Sequence, residues 1–191
     1  IAKKYHLKII EDACQAVGAK VGGKMAGNLG DASVFSLYAT KNMMSGEGGI
    51  LTTNSLSIFE KAKMFRHHGQ SEKVRYEYLD LGYNYRTTDI CASIGLAQLK
   101  KIDTFNKKRI RNAKLLSRGL KNIPGLTIPK IKDDHRHVFH QYTVRVTKDF
   151  GLSRDDSVDH LKSRGVGCGV YYPKPLHLHR HFARQGYKRG D

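Results

Sequence analysis

Apolar positions fall in short blocks separated by glycine-rich or charged stretches, the punctuation of an α/β chain. Leu7-Lys8-Ile9-Ile10 is a short aliphatic block that runs into Glu11-Asp12. It predicts a buried strand of a parallel sheet with its carboxyl end at the functional edge. Residues 17–31 hold Gly18, Gly22, Gly23, Gly27 and Gly30 and predict turns around a small hairpin. Residues 33–38 and 50–53 predict two further strands. Asn54 is placed to cap a helix with Ile58, Ala62 and Phe65 on one face, ending before Gly69. Asp89 is placed to cap the next, with Ile90, Ile94, Ala97 and Leu99 as its apolar face. Ile102, Phe105, Ile110, Ala113, Leu116 and Leu120 continue the helical spacing until Pro124 stops it. Residues 2–6 read as the last turn of a helix, so the chain is expected to begin inside a domain.

Residues 70–86 are polar and aromatic, with Tyr76, Tyr78, Tyr83 and Tyr85 among charges, and predict an extended loop at the site. Beyond Pro124 the composition changes. Alternation over 138–146 predicts a strand, Ser153 with Asp156 forms a capping box for a helix ending at Gly165, and 167–172 predicts a last strand that Pro173 and Pro175 cut off. Residues 1–124 are therefore expected to form a partial large domain with its connecting helices, and 125–191 a smaller α/β carboxyl-terminal domain.

The chain has 191 residues and a formal charge of +17, from 34 Lys and Arg against 17 Asp and Glu. This excess brings in a nucleic-acid reading. Yet the charge peaks over 100–121, where it decorates one long helix, and there is no zinc knuckle or RNA-binding motif. A solvated face, or one that attracts anionic substrate, is the simpler reading. Cys14, Cys91 and Cys168 are isolated and odd in number, which argues against a disulfide framework. No apolar run reaches the length of a membrane span, and the first residues are too polar to lead a signal peptide. A cytoplasmic setting is the expectation.

The chemistry concentrates around Lys41. A strand-like run ends at Ser36-Leu37-Tyr38-Ala39-Thr40-Lys41, and Gly46-Glu47-Gly48-Gly49 follows. A rigidly presented lysine can form a Schiff base; read locally, it can equally be a surface turn lysine. The glycines are not a nucleotide-binding P-loop, because no Lys-Ser or Lys-Thr pair follows them. His177, His179 and His181 alternate as metal ligands can, but no carboxylate lies near to orient them, and no metal site is expected.

The ordered set Glu11-Asp12-Ala13-Cys14-Gln15-Ala16, Phe35-Ser36, Lys41, Gly46-Glu47-Gly48-Gly49, Gly82-Tyr83-Asn84-Tyr85-Arg86 and Tyr172-Pro173-Lys174-Pro175-Leu176-His177 resembles the carboxyl-terminal half of DegT/DnrJ/EryC/StrS-type nucleotide-sugar aminotransferases. The resemblance covers nearly the whole chain. It implies part of a fold-type I large domain and the cofactor pyridoxal phosphate (PLP). Lys41 becomes the lysine that bonds the cofactor, and a buried Asp12 the partner of its ring nitrogen, with Glu11 a weaker candidate. Gln15 would lie beside the phenolic oxygen and Ser36 would bind the phosphate. Asn84 would reach a phosphate across a homodimer interface. Arg86 and His177 would contact substrate. Tyr171 stands where the family often has histidine, a departure in the sugar pocket. The implied reaction moves an amino group from a donor such as glutamate to a nucleotide-linked keto-sugar. The alternative is a noncatalytic fragment or regulatory protein on the same fold.

Overall fold

The computed structural model describes residues 1–191 and divides into two compact units. The first unit comprises Ile1–Asn122 with Ile128–Val144; the second comprises Ile123–Thr127 with Arg145–Asp191. Residues 128–144 thus pack with the first unit instead of opening a separate domain that runs from 125 to 191. Their own bonds explain it. Arg109 Nη1 donates to Phe139 O at 3.2 Å, Asn42 Nδ2 donates to Val138 O at 3.2 Å, and Val138 is only 2% exposed.

In the first unit, after a short helix α1 (Ala2–Tyr5), β4 (Ala32–Ser36) is the central strand of a three-stranded sheet. It runs parallel to β1 (Ile10–Asp12) and antiparallel to β5 (Gly49–Thr53). β1 starts later than its aliphatic block predicts, and Ile10 is exposed. The Asp31 carboxylate accepts the Ile9 N–H at 2.9 Å, while Asp31 N–H donates to Ile9 O. Those bonds take Ile9 out of the ladder. The predicted hairpin is present as β2 (Lys20–Val21) and β3 (Lys24–Met25), and His135–Arg136 pairs with β2.

Helix α2 (Leu56–Arg66) starts one residue later than predicted, because Ser55 Oγ accepts the Ile58 N–H while Asn54 Nδ2 turns to Asn28 Oδ1 at 2.7 Å. Helix α3 (Asp89–Leu99) is capped by Thr88 Oγ1, not by Asp89. Its buried position is Gly95, and the predicted apolar face with Ile90 and Ile94 is exposed. Gly95 sits against the 37–48 loop, where an added Cβ would lie 3.7 Å from Ser45 Cβ, while Ala92, Ser93 and Ala97 are as exposed as the large residues. Helix α4 (Ile102–Leu120) buries Ile102, Asn106 and Ala113 on one stripe and leaves Lys107, Lys108, Arg111, Lys114 and Arg118 exposed. The charge run is a solvated face apart from Arg109, which is drawn onto carbonyls.

In the second unit, Leu126–Thr127 pairs with Arg145–Val146. That two-residue ladder is the only paired part of the strand predicted over 138–146. Residues 167–172 form no ladder, since no strand lies beside them to accept their hydrogen bonds. Ser153 does cap α5 (Arg154–Ser163): its Oγ accepts the Asp156 N–H at 3.1 Å and donates to Asp156 Oδ2 at 2.6 Å.

The loop after α2 doubles back by close backbone approach. A Cβ on Gly69, whose φ is +70°, would lie 1.7 Å from Asp80 O. Gly69→Ala therefore strains both the dihedral and the contact, on the order of 3 kcal/mol locally. Hydrogen exchange at the Leu79 and Tyr83 amides, which donate to Gly69 O and Phe65 O, should accelerate in that variant. Unchanged protection would refute this account of the loop.

Candidate active site

The sheet brings the chemistry together at strand ends. Asp12 pairs in register with Val34, so the carboxyl ends of β1 and β4 lie side by side. Ser36 ends β4, and its partner Gly49 begins β5. Between them the chain leaves the sheet and returns as a closed loop. Leu37 N–H donates to Gly48 O and Ser45 N–H donates to Leu37 O, each at 2.8 Å. Lys41 sits in this loop, half-buried, its N–H donating to Tyr38 O at 2.9 Å. Gly48 makes the return possible: its φ is +137°, a conformation closed to other residues, and a Cβ there would press on Ser45 Oγ at 3.2 Å.

Lys41 and Asp12 feel each other's charge. The Asp12 carboxyl is held below the usual range first by hydrogen bonds from Cys14, its thiol and its N–H at 3.1 Å, and then by the Lys41 ammonium. Asp12 is exposed, not buried as the resemblance implies. The Cys14 thiol is pushed up, by burial and by Asp12, so it stays a neutral donor. Ser36 Oγ accepts the Tyr38 N–H at 3.3 Å, which leaves its hydroxyl hydrogen for another acceptor. Gln15 is exposed, three residues beyond Asp12.

Asn84 and Arg86 lie beside His67, on a segment whose Tyr85 and Thr87 line a cleft with Phe35 and Gly49. Asn84 bridges to His67 and Tyr85 N–H donates to Arg66 O at 3.0 Å. Phe65, Tyr83 and Tyr85 pack together, the two tyrosines stacked at 5.1 Å. Arg86 Nη1 lies 2.7 Å from His67 Nδ1. A guanidinium can only donate, so that ring nitrogen accepts. No hydrogen bond joins Asn84 or Arg86 to Lys41, Asp12 or Ser36. His177 belongs to the second unit, half-buried in a single 3₁₀ turn, Leu176–Leu178. His177, His179 and His181 do not gather into a metal-holding group. All three cysteines are free thiols.

Glu11 is a structural residue. Burial pushes its carboxyl up, but bonds from Gly27 N–H, Ser33 Oγ and Leu29 N–H outweigh burial and hold it below the ordinary value. It ties the 27–33 turn to β1. Asn42, Asn106 and His140 escape sequence reading altogether. They form a polar cluster directly under the lysine loop: Asn42 Nδ2 donates to Asn106 Oδ1 at 3.2 Å, and His140 Nδ1 lies 3.0 Å from Asn42 Oδ1. The only signal was Asn106 itself, a polar residue on the stripe that Ile102 and Ala113 bury. A cleft of about 520 Å³ along α4, lined by Ile110, Ser117, Pro129 and Phe139 among others, lies away from Lys41.

Burial lowers the His137 imidazole below its ordinary value; burial, then the Lys41 and Arg109 charges, lower His140. The unfolded chain therefore binds protons more readily than the folded one as pH falls below about 6.5. Protonation also breaks the Phe139 N–H bond to His137 Nδ1 at 3.0 Å. Stability should rise with pH through this window and fall in acid, so the thermal midpoint should drop between about pH 7 and about pH 5. A flat midpoint over that range would contradict the burial of these two rings.

Known proteins extend the geometry. A pleiotropic regulatory protein of Geobacillus stearothermophilus is 41% identical over all of this chain and 50% of its own length. GDP-perosamine synthase of Caulobacter vibrioides is 36% identical over 93% of this chain and 48% of its own. The X-ray structure of S. venezuelae DesV, in complex with a ketimine intermediate, superposes with a TM-score of 0.89 at 31% identity, covering 100% of this chain and 50% of DesV. Two other similar structures, described as a putative sugar aminotransferase of Streptococcus pneumoniae in PLP and PMP forms, superpose with a TM-score of 0.85 at 25% identity over 97% of this chain and 49% of theirs. The chain spans about half the length of the curated relatives it matches. No helix is long and apolar enough to cross a membrane. The two units hold part of a fold-type I large domain and a smaller α/β domain, as in these structures. The DegT/DnrJ/EryC1/StrS aminotransferase model matches residues 1–191, and the chain belongs to that family.

Proposed function

We propose that the protein carrying this chain transfers an amino group, from a donor such as glutamate, to a nucleotide-linked keto-sugar, using PLP. The observation that carries the reading is Lys41 held in a closed loop between Ser36 and Gly49, within electrostatic reach of an ionised Asp12. An amine, a carboxylate and a free hydroxyl hydrogen match, in turn, the carbonyl carbon, ring nitrogen and phosphate of PLP. The donor set therefore fits the cofactor. When bound, PLP supplies an electron sink for the carbon that loses its proton.

The chain's residues do the rest. Asp12, kept ionised by Cys14, holds a proton on the ring nitrogen. Lys41 Nζ would hold the cofactor and, as a free amine, would carry the proton from one carbon to another. Ser36 Oγ would donate to the phosphate and Gln15 would lie beside the phenolic oxygen. Arg86, braced by His67, offers its guanidinium to the substrate diphosphate, and His177 meets the sugar nucleotide. The net charge of +17 draws such anions in. GDP-perosamine synthase among the relatives supports a nucleotide-sugar substrate.

The working unit is a homodimer in which Asn84 serves the partner's phosphate. The exposed apolar side chains of α3, Ile90 and Leu96 at 74% and 63% exposure, support a covering partner. The setting is the cytoplasm. A regulatory role without transfer is the second reading, favoured by the name of the Geobacillus relative.

In the full-length protein, Lys41→Ala should abolish the borohydride-reducible PLP adduct without unfolding the protein; an adduct retained at another lysine would reject the assignment. Asp12→Asn should slow both half-reactions by about a hundredfold, and single-turnover rates equal to the parent's would sink its role. Subunits carrying Lys41→Ala, mixed with subunits carrying Asn84→Ala, should regain activity well above either homodimer, because one site of each heterodimer then carries neither defect. Absence of recovery would place the phosphate contact within one subunit.

A further inference from the structure

The first unit buries one polar cluster that the transfer reaction leaves unused. Asn42 follows Lys41 directly and is 4% exposed, while Asn106 of α4 is 0% exposed. Counting donors fixes the partners of Asn42. Asn42 Nδ2 gives its hydrogens to Asn106 Oδ1 and Val138 O, each at 3.2 Å. Asn42 Oδ1 can then only accept, so the His140 Nδ1 at 3.0 Å must carry hydrogen. Asn106 Nδ2 donates to Val17 O at 2.9 Å, which ties in the segment after Gln15. Arg109, one turn beyond Asn106, holds the carbonyls of Phe139 and His140.

Such a cluster is a poor choice for packing alone. Buried amides add little net stability over apolar side chains of the same shape, but their bonds are directional. Lys41 itself has a single backbone bond, to Tyr38 O. The orientation of its turn therefore depends on the residue that follows it.

We propose that Asn42, Asn106 and His140 are positioning residues for Lys41: the amide–amide–imidazole chain locks the turn that carries the lysine and so fixes where its amine points. This rests on the reading of Lys41 as the reactive amine. His140 bonds the side chain of the residue next to Lys41, and the Lys41 charge acts on His140 and Asp12 alike.

The test compares His140→Leu, which removes the donor to Asn42, with His140→Asn, whose amide N–H can replace Nδ1–H. In cofactor-free full-length protein, acylation of Lys41 by an amine-directed reagent is followed by mass spectrometry. The rate at Lys41 should change about tenfold in His140→Leu and stay within about twofold in His140→Asn, since misplacement of a reacting group costs factors of this size or more. In the holoprotein, kcat should fall with KM for the nucleotide sugar held, again only in the leucine variant. A merely structural role lowers the thermal midpoint and leaves the Lys41 rate unmoved; that result overturns the proposal, as does an asparagine variant as defective as the leucine one. If borohydride traps PLP on another lysine, the functional reading fails, while the acylation comparison still decides whether the cluster positions Lys41.

Discussion

The contact between Asn42 and Asn106 is the constraint on which the first unit turns. It joins the lysine loop to the longest helix, and through Val138 and Val17 it draws in two further segments. Each amide is buried, so each bond must be made or its desolvation goes uncompensated. That demand explains why residues 128–144 leave the second unit's sequence neighbourhood and pack with the first. Around this pivot sits a modest apolar cluster, Leu37, Met43 and Ile102, with Val17 against it. Polar bonds, more than apolar bulk, set the register of the loop.

The same economy appears at the strand ends. Asp31 satisfies Ile9, Glu11 satisfies the 27–33 turn, and Cys14 satisfies Asp12. Carboxylates next to the sheet are held ionised by short-range donors instead of by deep burial. Asp12 stays exposed, and so free to meet a ligand, while its charge remains fixed.

Helix α3 shows how a fold distributes its faces. Gly95 alone is buried, against Ser45, and the large apolar residues Ile90, Ile94, Leu96 and Leu99 are exposed. Together with the stacked Tyr83 and Tyr85, they form apolar surface beside the loop that holds Asn84.

The sequence by itself determined most of the order of elements and the family to which the chain belongs. Local rules suffice there: the hairpin of 20–25, the capping box at Ser153, the stop at Pro124, and the Ser36, Lys41 and glycine spacing are all decided within a few residues. The tertiary structure decided the rest. Which side of α3 is buried, where β1 begins, and whether Asn54 or Ser55 caps α2 depend on partners tens of residues away. Alternation over 138–146 and 167–172 was legible as a pattern, but a strand needs a neighbour to take its hydrogen bonds, and no local signal supplies one. The Asn42, Asn106 and His140 cluster is the plainest case. Its members are 64 and 98 residues apart from Asn42, and only folding makes three unremarkable polar residues into one buried network.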